Sequence, residues 1–206
     1  MAMQYPEHIW HNGQLKPWAQ ATTHVMAHAL HYGSSVFEGI RSYETAKGQA
    51  IFRLTDHLRR LFHSAKIYDI DIPYTPEQLA EASRAVIRAN GLARAYLRPV
   101  AFRGLGGFGL SADCPTDVAV AAWNMGPYLG AGALEAGIEA CVSSWQRMAP
   151  NTIPTGAKAG GNYLSGQLIA REARRLGFGE GIALARRTLA SGAALAKLEQ
   201  LKAFAA

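Results

Sequence analysis

A helix with both of its ends written into the sequence is the tightest constraint on what this chain can fold into. Thr75-Pro76-Glu77-Gln78 combines a capping box with proline at the first helical position, and Asn90-Gly91 supplies a left-handed stop. Strands are expected after it, at Arg94 to Phe102 and Asp117 to Trp123, both rich in β-branched and apolar residues, the second reading as buried on both sides. An earlier hairpin is expected where Ile9-Trp10 and Gln14-Leu15 flank His11-Asn12-Gly13, because Asn-Gly supplies the positive φ of a tight turn. Between Ile51 and Ile70 a strand-like start gives way to helical spacing at Leu58, Leu61, Phe62 and Ala65, with Thr55 or Asp56 as candidate N-cap and Arg60 on the helix. Separate helices and antiparallel-looking strands argue for an α+β fold over a regular βαβ alternation.

The second half is organised differently. Gly126 to Gly137 reads as a connector and places a domain boundary near residue 130, giving domains 1–130 and 131–206. Ile138 to Trp145 reads as a strand, Tyr163 to Leu176 as a helix closed by Gly177, and Gly181 to Leu184 as a buried strand. Leu195, Leu198 and Leu201 fall on helical spacing near the end, with Ser191 as a possible cap.

Composition narrows the function classes. With 206 residues, 49% of them hydrophobic and 17% charged, the chain can bury a real core, which excludes a disordered protein. The longest apolar runs are far short of a bilayer span, and the N-terminus has no basic segment leading into an apolar one, so the expectation is a soluble, cytoplasmic protein with no membrane partner. Cys114 and Cys141 sit in unrelated contexts and read as reduced packing residues. The net charge of +6 favours anionic partners, but the basic residues come as short doublets such as Arg59-Arg60, a pattern of solvated helix faces and not of a nucleic-acid site.

Three motifs carry possible chemistry. Gly104-Leu105-Gly106-Gly107-Phe108-Gly109 matches the dinucleotide pattern G-x-G-x-x-G, yet it runs into Ser111-Ala112-Asp113-Cys114-Pro115, where no long helix can begin to hold a pyrophosphate. His24, His28 and His31 have the spacing of one helical face, but Gly33-Ser34-Ser35 cuts such a helix short and no Cys or Asp stands near, so they read as structural histidines and no metal site is assigned. Lys158 stands amid Gly156, Ala157, Ala159, Gly160 and Gly161, small residues that let a bulky group approach the amine closely, as a Schiff-base lysine requires; an ordinary loop lysine is the other reading of the same residues.

The lysine segment and several further blocks together resemble one family. Ile9-Trp10-His11-Asn12-Gly13, His28-Ala29-Leu30-His31-Tyr32-Gly33, Val36-Phe37-Glu38-Gly39-Ile40-Arg41, Tyr96-Leu97-Arg98-Pro99, the Lys158 segment and Glu180-Gly181-Ile182-Ala183-Leu184 occur in the order found in branched-chain aminotransferases, pyridoxal-phosphate enzymes of fold type IV. The resemblance implies an N-terminal α/β domain followed by the start of a cofactor-binding domain. It implies that Lys158 holds pyridoxal 5′-phosphate and carries a proton between the substrate α-carbon and the cofactor. By the same resemblance Tyr163 bonds the phenolic oxygen of the cofactor and Arg60 binds its phosphate. Tyr32, Phe37, Gly39, Tyr96, Arg98, Leu110 and Tyr128 line the pocket for leucine, isoleucine, valine and glutamate, some of them across a dimer interface, and Arg98 with tyrosines takes the distal carboxylate of glutamate. The partners implied are amino acids, 2-oxo acids and a second copy of the chain.

The resemblance weakens after Leu184. The family continues into a sequence of the Ser-Glu-Gly-Ala-Gly-Glu-Asn type, whose first glutamate pairs with the pyridine nitrogen; this chain reads Ala185-Arg186-Arg187-Thr188-Leu189-Ala190-Ser191-Gly192, with Gly192 at the place of that glutamate. On this reading the C-terminal domain is incomplete, with a non-family tail from about residue 185. The alternative to a working transaminase is then an inactive fragment acting through dimer contacts. An unfinished sheet exposes edges and apolar surface, so low stability or aggregation is expected for the isolated chain; a cooperative thermal transition in a soluble dimer would refute this.

Overall fold

The computed structural model describes residues 5–46, 48–126, 137 and 140–175. The chain divides into two compact units, Met1–Tyr128 with Pro150–Asn162, and Leu129–Ala149 with Tyr163–Ala206.

The first unit begins with the hairpin of β1 (His8–His11) and β2 (Gln14–Pro17), turned by Asn12 and Gly13 at φ +48° and +87°. Positive φ at both central residues is what a two-residue hairpin turn demands. A short helix α1 (His28–Tyr32) leads to β3 (Ser35–Phe37), β4 (Ile40–Thr45) and β5 (Gly48–Ile51). Helices α2 (Leu54–Ile67) and α3 (Pro76–Ala89) follow, then β6 (Ala95–Arg103) and β7 (Thr116–Trp123). All pairings are antiparallel, in the order β2-β1-β7-β6-β4-β5, with β3 also on β6.

α3 starts and stops where the sequence says. The Thr75 hydroxyl accepts from the Gln78 amide, the Gln78 side chain accepts from the Thr75 amide, and Gly91 takes φ +57° just past the end. α2 departs from expectation: neither Thr55 nor Asp56 caps it. The helix starts at Leu54 behind Arg53 in the left-handed region (φ +48°), and the Arg53 side chain turns back to Asp56 at 2.7 Å. Asp56 lies in the first turn, where a negative charge suits the amide ends of the helix.

The core explains a second departure. α3 packs on β7, β1 and β6, and α2 packs on α3 and β3. Leu58, Leu61, Leu79, Val86, Leu97, Val118 and Val120 are all almost fully buried there. Because only one face of the sheet is covered in this way, β7 is not buried on both sides: Val118, Val120 and Ala122 are buried, while Asp117, Ala119, Ala121 and Trp123 are half-buried. β6 shows the same alternation, with Leu97, Pro99 and Ala101 inward and Tyr96, Arg98 and Val100 on the other face.

Pro99 in a central strand has no N–H for the ladder. It falls where the neighbouring edge is interrupted, because β3 pairs through Phe37↔Val100 and β4 resumes at Ile40↔Leu97, leaving Glu38 and Gly39 opposite Arg98 and Pro99. The Glu38 amide donates to the Pro99 carbonyl across this gap at 2.8 Å.

In the second unit residues 163–175 are helical, and the Glu172 carboxylate accepts from the Ser143 and Ser144 hydroxyls and the Ser144 amide. The strand expected at Ile138 to Trp145 is not formed over the described residues 140–145, which have no ladder partner among the described residues. Leu176 and Gly177, the strand at Gly181 to Leu184, Gly192 and the terminal helical pattern lie outside the described residues. Among the described residues no helix is long and apolar enough to cross a membrane.

Replacing Thr75 with Ala removes the acceptor for the Gln78 amide. It is expected to lower the unfolding free energy by about 1 kcal/mol, read as a lower urea midpoint at unchanged slope.

Candidate active site

The lysine segment lies along the outer edge of β3. The Lys158 amide donates to the Ser64 hydroxyl (3.0 Å), the Phe37 amide donates to the Lys158 carbonyl (3.0 Å), and the Gly160 amide donates to the Ser35 carbonyl (2.8 Å). Val36 and Ala159 form a single antiparallel bridge between these bonds. Asn162, buried at the end of the segment, donates through its side chain to the carbonyls of Pro154 and Ala157 and holds the turn closed. The small residues of the segment have a measurable purpose at Gly160, where a Cβ would collide with the Ser35 hydroxyl.

From this clamp the Lys158 side chain reaches over the Phe37 ring, with Nζ 4.8 Å from its centroid. The Arg98 guanidinium lies over the same ring at 4.6 Å and donates to the Tyr96 hydroxyl at 2.9 Å. Gly39 completes the group, since a Cβ there would strike that hydroxyl. Two cations sharing one aromatic ring repel each other, an arrangement that favours an anion between or beside them. Arg98 Nε is buried with no hydrogen-bond partner among the described residues, a donor set aside from the protein's own network. Five of the residues singled out in the sequence, Phe37, Gly39, Tyr96, Arg98 and Lys158, thus meet around one aromatic ring and one hydroxyl, away from the strand face on which α3 packs.

Arg60 is joined to this group through Glu38. The Glu38 side chain has no exposed surface, and its carboxylate accepts from Arg60 Nε (2.5 Å) and Nη2 (2.7 Å) and sits 2.9 Å from His57 Nδ1. Burial alone would raise the pKa of this carboxyl; hydrogen bonds and charge from Arg60 and His57 outweigh it and hold the group below the ordinary value. The Arg60 side chain keeps 52% exposure and lines a cleft of about 580 Å³ with Arg53, Asp56, His57, Arg59 and His63. Asp56 in that cleft is also held below its ordinary pKa, first by its hydrogen bond from Arg53.

The remaining expected residues are placed elsewhere. Tyr32 and Leu110, the latter 86% exposed, line a separate crevice of about 250 Å³ with His28, Tyr68, Ile153 and Asn162, which none of the five clustered residues lines. Tyr163 opens the helix of the second unit, and Tyr128 lies outside the described residues. The three histidines are engaged locally: His24 accepts from the Met26 amide, His28 bonds the Ser34 hydroxyl and the Gly109 carbonyl, and His31 bonds the Val25 carbonyl. The glycine-rich loop folds against its own returning segment, since a Cβ at Gly106 would lie 2.8 Å from the Asp113 carbonyl and from Cys114 Cα. Sequence reasoning missed Glu38, Ser64 and Asn162 as parts of the site. Ser64 had one available signal, its place on the buried face of α2 three residues after Leu61.

The sequence of this chain matches the amino-transferase class IV family over residues 35–194. The chain belongs to that family. It is 55% identical to the branched-chain-amino-acid aminotransferase of Escherichia coli K12 over 186 residues, covering 89% of this chain and 60% of the relative, and 47% identical to that of Pseudomonas aeruginosa PAO1 over 166 residues, covering 80% and 54%. Among solved structures, the E. coli branched-chain amino acid aminotransferase superposes with a TM-score of 0.82 at 54% identity over 84% of this chain and 58% of the other. The T.th. branched-chain amino acid aminotransferase with pyridoxamine 5′-phosphate gives 0.81 at 46% identity over 86% and 58%. The type IV α+β fold expected from the sequence is therefore borne out, and the chain spans about 60% of the length of these curated relatives.

Since the Glu38 carboxyl is more acidic folded than unfolded, it stabilises the fold above its ordinary value of 4.5 and ceases to do so as pH falls through that value toward the lower folded one. Unfolding free energies measured from about pH 6 down to about pH 3 should fall more steeply for the wild type than for Glu38→Gln. Equal slopes would show that the carboxylate is not coupled to folding.

Proposed function

We propose that this chain serves transamination between leucine, isoleucine or valine and 2-oxoglutarate, using pyridoxal 5′-phosphate. One observation carries the reading: an amine whose residue is clamped by backbone bonds on both sides, set over the same aromatic ring as an arginine with a buried, unpartnered Nε among the described residues. The relatives' names and the T.th. complex with pyridoxamine 5′-phosphate support the same choice of reaction and cofactor.

The residues present fit this cofactor. Only small residues, Gly156, Ala157, Ala159 and Gly160, flank the lysine in sequence, and the half-exposed guanidinium of Arg60 suits a phosphate. Lys158 would carry the cofactor, Arg60 would hold its phosphate, and Tyr163 would bond its phenolic oxygen. When bound, pyridoxal phosphate supplies an electron sink for the substrate α-carbon. Lys158 would hold and move the proton at that carbon. Phe37 and Tyr96 wall off water and receive the aliphatic side chains, with Gly39 keeping the wall thin. Arg98, poised over Phe37, takes the distal carboxylate when glutamate is the donor, so one apolar pocket with a cation at its rim accommodates both substrate types.

Tyr32 and Leu110, away from this cluster, are assigned to the pocket of a second copy, with Tyr128 completing the lining. Tyr32 also packs 5.5 Å from the exposed Phe108 ring, and exposed apolar side chains of this kind suit a homodimer. Residues 1–130 would form the N-terminal domain and 131–206 the start of the cofactor-binding domain, in a cytoplasmic enzyme. Gly192, in place of the family's glutamate, favours a second reading, an inactive chain acting through dimer contacts.

Borohydride reduction after addition of pyridoxal phosphate, followed by peptide mass mapping, is expected to yield an adduct at Lys158 that Lys158→Ala abolishes. An adduct scattered over surface lysines would sink the transaminase reading.

A further inference from the structure

The hydrogen-bonding groups around the Glu38 carboxylate come from two places, α2 and the chain beside Glu38 itself. Its own residue lies between Phe37, whose amide bonds the Lys158 carbonyl, and Gly39, which packs on Tyr96. Its carboxylate reaches across to α2, where it takes Arg60 side-on through Nε and Nη2 and lies against His57, and its Oε2 also accepts from the Gly39 amide at 3.3 Å. A side-on pair fixes the plane of a guanidinium as well as its position. A carboxylate without exposed surface cannot relax into water, so the geometry it imposes is stiff. Removing it takes away the bonds that set the plane of Arg60, while the hydrophobic contacts of α2 through Leu58 and Leu61 stay in place.

We propose that Glu38 is a positioning residue that sets the orientation of Arg60 toward the cofactor phosphate and so couples the phosphate-binding helix to the strand that carries the substrate wall. This rests on the reading of Arg60 as the phosphate ligand. Glu38 touches neither phosphate nor substrate; it acts through the arginine. The ligand feature it governs is the phosphate dianion alone, since the aromatic wall and the lysine clamp are built from other bonds.

The test compares the binding of pyridoxal phosphate and of pyridoxal, which lacks the phosphate, to the 206-residue chain by absorbance titration. Wild type is expected to prefer the phosphate form. Glu38→Gln is expected to reduce affinity for pyridoxal phosphate by about tenfold to a hundredfold, by analogy with the loss of groups that orient metal ligands, and to leave pyridoxal unchanged. Glu38→Asp, which restores the charge on a shorter arm, should recover part of the loss. In the Arg60→Ala background Glu38→Gln should add nothing further, because both changes remove one interaction. Equal losses for the two ligands, or additive losses in the double variant, would overturn the positioning role while leaving Arg60 as the ligand. An Arg60→Ala variant that keeps the full preference for the phosphate form would instead overturn the reading of Arg60, and this inference with it. A wild-type chain that binds neither ligand would overturn both.

Discussion

A carboxylate with no exposed surface has to find its compensation inside the protein, and Glu38 finds it on α2. The effective cost of burying an ion inside a protein is on the order of several kcal/mol, so the Glu38 carboxylate depends on the good geometry of its partners. That requirement fixes the rotation of α2 about its axis. With Arg60 and His57 turned toward Glu38, Leu58 and Leu61 face the core and Ser64 meets the Lys158 amide. One helix therefore secures the arginine, the lysine segment and the apolar interior at once.

The sheet divides the molecule's duties by parity. Along β6, Leu97 and Ala101 face the helices, and Tyr96 and Arg98 face the other way, where no helix of the described first unit covers them. A shift of one residue in register would exchange the two sets. Eight paired residues between β6 and β7 hold that register, from Tyr96↔Trp123 to Arg103↔Thr116. The interruption at Glu38 and Gly39 does the complementary work on the other edge: it admits Pro99, ends one ladder, and turns a charged side chain inward from a strand edge without costing a ladder bond at a residue that has no amide hydrogen.

What could be read in the sequence was what depends on neighbours along the chain. The capping box at Thr75, the Asn12-Gly13 turn and the stop at Gly91 are local chemistry, and all three stand where expected. The start of α2 misled because Asp56 has the composition of a cap yet is taken by Arg53, a residue with no capping signal of its own. β7 looked buried on both sides because alanines at 119 and 121 carry no mark of which face is covered; that is decided by where α3 lies. In the site, Phe37, Gly39, Tyr96, Arg98 and Lys158 were legible through family blocks, whereas the roles of Ser64 and Glu38 depend on partners 94 and 22 residues away in sequence and left no local trace beyond the helical spacing of Ser64.

The lysine segment is fastened to the edge of β3 by one bridge and a few hydrogen bonds, not by a strand of its own. Its Ala157 and Ala159 are buried, so opening it costs core contacts, yet such an opening is a local event distinct from global unfolding. The Lys158 amine can be displaced in such an event while the sheet, both long helices and their spectroscopic signals stay native. A preparation can look fully folded by circular dichroism and still hold a fraction of molecules whose amine is out of register, so the competent fraction is a separate quantity from the folded fraction.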